Sequence, residues 1–136
     1  MNERLKQQVR DRAGDCCEYC RMPQQVYQPR FPIDHVIAVQ HGGLTQLDNL
    51  AEACLRCNLA KGPNLAAIDS NTKKMVRLFH PRRDRWSRHF RWYGPRLLGK
   101  TAIGRATIGL LQINHPHYVA VRRSLIDEGV FPPSDA

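Results

Sequence analysis

Cys17-Glu18-Tyr19-Cys20 and Cys54-Leu55-Arg56-Cys57 are two C-x2-C pairs, and their reading decides the fold. Two residues between cysteines let both sulfurs reach one ion from a tight turn, and two such pairs make a closed four-thiolate zinc site of the structural kind. With no open coordination position, this metal is expected to hold the chain together and leave chemistry to other residues. Cys16 is the odd one out: five cysteines cannot all pair internally, and it reads as a small buried hydrophobe or a free thiol without a role.

Around these pairs stands a chain of 136 residues, long enough for one ordinary domain and too short for two. Its hydrophobic fraction of 42% and charged fraction of 24% suit a globular chain rather than a disordered one. No apolar run approaches the roughly 20 residues that span a bilayer, and the opening MNERLKQQVRDR has no apolar h-region. The expectation is a cytoplasmic protein without a membrane partner, where metal binding explains cysteines better than disulfides do.

Charge is unevenly placed. Residues 1 to 62 carry 8 basic and 7 acidic side chains, whereas 63 to 136 carry 13 and 5. Within 73 to 105 there are eleven Lys or Arg and a single acid, Asp84. Such a segment attracts a polyanion and exchanges its counterions on binding, so nucleic acid is the first candidate partner, against a plain solvated face.

Local patterning supplies the elements. Leu5, Val9 and Ala13 form one stripe of a helix from Asn2 to Ala13, ended by Gly14. Phe31 to Val39 reads as a strand or hairpin arm, and a short helix is expected around Asn58 to Lys61, broken by Gly62-Pro63. Leu65 to Asp69 reads as a further short helix. Arg88 to Tyr93 and Arg96 to Thr101 flank Gly94-Pro95 as a hairpin with Phe90 and Trp92 on one face, which reads as a core face. Helices are expected from Thr101 to about Ile113 and from Pro116 to Glu128, the second closed by Gly129.

Between the cysteine pairs lie Asp34-His35, Gly42-Gly43 and Asp48-Asn49-Leu50, and after the second pair come Asn58, Lys61 and Gly62. On these residues the stretch from 17 to 62 resembles the HNH endonuclease family, in the McrA-like branch whose ββα-metal core sits inside a zinc-knuckle frame. The steps of fourteen residues from His35 to Asn49 and nine from Asn49 to Asn58 are similar to those of HNH nuclease domains, including those of CRISPR effectors. The third position of the motif is Asn58 rather than His, which changes the expected ligand from imidazole to amide oxygen. The resemblance implies that Asn49 ties its loop down by side-chain to backbone hydrogen bonds and so orients His35.

The residues carry the same chemistry without the name. Cutting a phosphodiester needs a base for the attacking water and a cation for the charge that develops on the phosphate. Histidine is the residue type whose unperturbed pKa lies near neutrality, so the neutral form of His35 can take that proton. Asp34 and Asn58 offer oxygen ligands, a set that favours Mg²⁺ or Mn²⁺. Neighbours in a strand point to opposite faces, so a bend is required for Asp34 and His35 to serve one site. Lys61 lies one helical turn past Asn58, either touching phosphate or as a solvated lysine. His41, His80, His89, His115 and His117 read as surface or turn residues.

The expected protein is therefore α+β: a small ββα-metal, treble-clef-like core stapled by Cys17, Cys20, Cys54 and Cys57, with a basic C-terminal hairpin-plus-helices extension. Residues 1–70 are read as the nuclease core with its N-terminal helix and 71–136 as the extension packed upon it, in one compact unit. The expected activity is metal-dependent hydrolysis of DNA, with a non-catalytic zinc-stabilised nucleic-acid-binding module as the alternative. Lys73, Lys74, Arg77, Arg82, Arg83, Arg85, Arg88 and Arg91 are the expected DNA contacts, and monomer and homodimer both stay open.

Overall fold

The structure, a computed structural model, describes residues 1–133. Helix α1, Glu3–Ala13, begins where the Asn2 side chain accepts the Leu5 N–H and ends at Gly14 in the left-handed region, as its cap residues predict. Val9 and Ala13 are buried from its apolar stripe, and α1 packs on the hairpin that carries the HNH motif. That hairpin pairs β1, Ile33–His35, antiparallel with β2, Leu50–Glu52, in the register Asp34 to Ala51 and His35 to Leu50. The strand is shorter than the expected Phe31 to Val39, because Val39–His41 turn into a 3-10 helix as the chain bends into its long loop.

Helix α2, Leu55–Lys61, starts at the second cysteine pair, where the Cys54 sulfur accepts the Cys57 N–H at 3.4 Å. The segment expected as a helix over Leu65 to Asp69 is instead strand β3, Ala66–Ile68, paired with β4, Met75–Arg77. The cause lies in the turn between them. Asp69 is fully buried, accepts hydrogen bonds from the backbone of Asn71 and Thr72, and receives the Arg105 guanidinium on both oxygens at 2.7 and 3.1 Å. This reversal competes successfully with a helix.

A single turn of helix, α3, Trp86–His89, leads into the hairpin of β5, Phe90–Tyr93, and β6, Arg96–Gly99. The expected hairpin is present, although its first arm starts two residues later because α3 takes Arg88 and His89. Helices α4, Ala102–Leu111, capped by Thr101, and α5, Pro116–Asp127, close the chain. Gly129 takes the left-handed conformation just past α5.

One apolar cluster joins the two halves of the chain. It contains Cys17, Tyr19, Cys20, Cys54 and Cys57 together with Phe79, Phe90, Leu97, Leu111, Leu125 and Phe131. Trp86 donates its indole N–H to the Tyr19 carbonyl at 2.9 Å, and Trp92 meets Phe131 edge to face at 4.9 Å. Phe90 and Trp92 thus serve the core, as their alternation indicated. No helix among the described residues is long and apolar enough to cross a membrane.

Two of the expected DNA contacts already have acidic partners within the fold. Arg82 is mostly buried and forms an ion pair with buried Glu18, whose other oxygen accepts the Glu52 N–H at 2.9 Å. A carboxylate inside the knuckle requires a cation, and Arg82 supplies it. Arg77 grips Asp84 with two hydrogen bonds of 2.7 and 2.9 Å. Lys73, Lys74, Arg83, Arg85, Arg88 and Arg91 remain exposed without ion pairs among the described residues. His89 is a further correction: it is buried, with its Nδ1 2.6 Å from the Thr101 hydroxyl, rather than a surface residue.

These placements separate structure from binding. Arg82→Glu is expected to cost about 3 kcal/mol or more, since it leaves Glu18 buried without its partner; a thermal melt that does not move contradicts this. The triple variant Arg85→Glu, Arg88→Glu, Arg91→Glu is expected to melt normally and to flatten the dependence of log DNA affinity on log salt by about 0.9 for each phosphate that the variant no longer neutralises. Titrations at several ionic strengths measure that slope.

Candidate nuclease site

The knuckles bring four sulfurs together. Cys17, Cys20, Cys54 and Cys57 are all buried, with their Sγ atoms within 4.8 Å of one another and the Cys20–Cys54 pair at 3.8 Å. A tetrahedron with metal–sulfur bonds of about 2.3 Å has edges of about 3.8 Å, so the residues fit zinc. Hydrogen bonds among the thiols, that with Cys17 foremost, and burial hold Cys20 and Cys57 well above the ordinary thiol range, while the same neighbours pull Cys54 far down. Four crowded sulfurs cannot all ionise alone; a divalent cation at their centre removes that conflict. Backbone N–H groups of Cys20 and Cys57 point at the sulfurs of Cys17 and Cys54, as thiolates require.

The loop between β1 and β2 is held by Asn49. Its Oδ1 accepts the Ile37 N–H at 2.9 Å, and its Nδ2 donates to the carbonyls of Ile37 and Leu44 at 3.0 and 2.9 Å. The loop therefore closes on itself directly after His35. Gly43 is needed for that closure, because a Cβ there would lie 1.7 Å from the Ile37 oxygen and 2.8 Å from Asn49 Nδ2. Gly43→Ala is expected to destabilise the protein by about 1–3 kcal/mol, in the range of overpacked interiors, and to lower cleavage with it. An unchanged melt and rate would show that the loop opens freely.

Asp34 and His35 do not converge. The strand runs without a bend, so Asp34 turns inward and His35 outward. Asp34 accepts the Tyr19 hydroxyl at 2.7 Å and takes the Lys61 ammonium at 3.2 Å; Lys61 also donates to the His35 carbonyl at 3.2 Å. Burial pushes the Asp34 carboxyl up, against the pull of Lys61 and Tyr19. His35 is half-buried, with its Nε2 2.9 Å from the Thr45 hydroxyl.

Lys61 is thus neither a solvated lysine nor placed on a free surface, since only 2% of it is exposed. Its ammonium fills a point where three oxygens meet: both carboxylate oxygens of Asp34 and the His35 carbonyl. Asn58 stands one turn before it on α2, half-buried. Among the described residues, no set of three His, Cys, Asp or Glu besides the four cysteines closes on one point. Tyr19 and Thr45 were missed in the sequence. Tyr19 sits between two cysteines, but only folding shows that its hydroxyl reaches Asp34.

A zinc-stapled α+β core with a ββ-hairpin, a following helix and an Asp-His strand is the frame of a nuclease module. The family model for HNH endonuclease matches residues 17–64, about a third of the chain, and this segment is an HNH domain. The match makes this segment similar to nuclease domains that act on DNA. No curated protein and no solved structure matches the chain.

Proposed function

We propose that this protein is a metal-dependent endonuclease of the McrA-like kind that hydrolyses phosphodiester bonds in DNA, with His35 as general base and Asp34 and Asn58 as the oxygen ligands of Mg²⁺ or Mn²⁺; for Asp34 to join that shell it must release the Lys61 ammonium and turn toward the face of His35. The observation that carries the reading is the Asn49-locked loop. It rises from the strand of His35 and holds that imidazole at the open edge of a zinc-braced hairpin. A bound divalent cation would stabilise the charge that develops on the phosphate. His35 takes the proton of the attacking water, and Thr45 steadies the ring through its hydrogen bond with Nε2. Asp34 is kept in place by Tyr19 and Lys61. Asn49 positions His35 without touching substrate. The extension adds charge that draws the polyanion in.

A second reading, a zinc-stabilised binder without chemistry, is favoured by the ion pair that already occupies Asp34. A plasmid relaxation assay separates the two. Nicked or linear product with Mg²⁺ or Mn²⁺, lost on adding EDTA, supports the nuclease; unchanged supercoiled plasmid at protein concentrations that bind it supports the binder. In this reading residues 1–70 are the nuclease core and 71–136 its DNA-gripping extension.

A further inference from the structure

Where the HNH core meets the basic extension there is a cleft of about 280 Å³. One side is the chain leaving the strand of His35 at Ile37, with buried Lys61 at the end of α2 and Asn64 just beyond it; the other is Arg77, His80 and Arg83 from the extension. We infer that this cleft is a phosphate subsite, which seats a backbone phosphate of the DNA strand beside the one that is cut. The inference rests on the nuclease reading and adds a second anchoring point to it.

The lining holds no acidic residue. Its cations differ in what they have left to offer. Lys61 is matched by Asp34 and Arg77 by Asp84. Arg83 has no ion pair and its side chain makes no hydrogen bond among the described residues; only its backbone N–H is used, donated to the His80 carbonyl at 3.1 Å. Asn64 spends one amide hydrogen on the Lys61 carbonyl at 2.9 Å and retains the other. One unneutralised guanidinium and a spare amide donor therefore face a concave, acid-free space.

That combination selects an anion with several acceptor oxygens, and a planar guanidinium matches a phosphate with two parallel hydrogen bonds. The volume lies just under the roughly 300–1,000 Å³ of small-molecule pockets, so it suits a phosphate with its sugar better than a cofactor. Position narrows the choice further. Ile37 is two residues from His35, and the Lys61 ammonium is bonded to the His35 carbonyl, so the cleft lies beside the backbone that carries the proposed base. Low-dielectric walls lined by one sign of charge focus the field on such a phosphate.

The test uses the full chain with inorganic phosphate as the first probe. Amide signals of Ile37 and Asn64 are expected to shift saturably in NMR titrations, to lose that shift in Arg83→Gln, and to keep it in Arg123→Gln, an exposed arginine on α5. In steady-state cleavage, Arg83→Gln is expected to raise KM about tenfold with kcat little changed, the size of a lost hydrogen bond to a charged group. Arg83→Lys should restore part of the loss. Shifts that spread over unrelated basic residues, shifts that survive in Arg83→Gln, or an unmoved KM overturn the subsite. If the wild-type chain cuts no DNA, the nuclease reading falls and the phosphate titration by itself decides the subsite.

Discussion

His35→Ala is expected to lower plasmid cleavage by about a hundredfold to ten-thousandfold, the contribution of a positioned general base, while DNA affinity and the melting temperature stay near those of the wild type. The asymmetry follows from geometry. His35 is half-buried at the edge of β1 and its side chain makes one hydrogen bond, to Thr45, so its removal opens no large cavity. A general base acts in the transition state, so in the proposed role kcat is expected to drop and KM is not. Full activity in this variant would place the base elsewhere. A large fall in melting temperature would show that His35 holds the hairpin instead.

Zinc removal is the second large effect. Protein purified without added metal is expected to carry about one zinc equivalent, and Cys57→Ser or exhaustive chelation is expected to abolish cooperative unfolding, because structural zinc contributes on the order of 10–16 kcal/mol. The loss should reach the whole chain. The four cysteines share one cluster with Phe79, Phe90, Leu111, Leu125 and Phe131, and Trp86 is hydrogen-bonded to the knuckle at Tyr19. Near-ultraviolet circular dichroism of Trp86 and Trp92 reads the extension directly. A signal that survives while zinc is absent would mean that the extension folds on its own, and a folded protein with no zinc at all would overturn the frame.

Much of the fold is written locally. The spacing of the cysteines places four sulfurs within reach of one ion, and Asn2, Gly14, Thr101 and Pro116 mark helix ends, because each acts through neighbours three or four residues away. The hairpin with Phe90 and Trp92 inward follows from period-two alternation. Asn49 was legible only through resemblance, since nothing in composition says that its amide will meet Ile37 and Leu44.

What tertiary structure alone decided are the pairings between distant residues. The segment Leu65 to Asp69 holds a strand, Ala66–Ile68, instead of a helix because Arg105, thirty-six residues away, locks Asp69 into a turn. Arg82 looks like its neighbours in a basic run, yet it neutralises Glu18 across sixty-four residues, while Arg83 beside it faces the cleft. Asp34 is sequestered under Tyr19 and Lys61 although the next residue, His35, points outward. Caps, turns and alternation are short-range and appear in the order of residues. A buried charge takes whichever partner folding brings to it, because leaving it unpaired costs more than any local preference supplies.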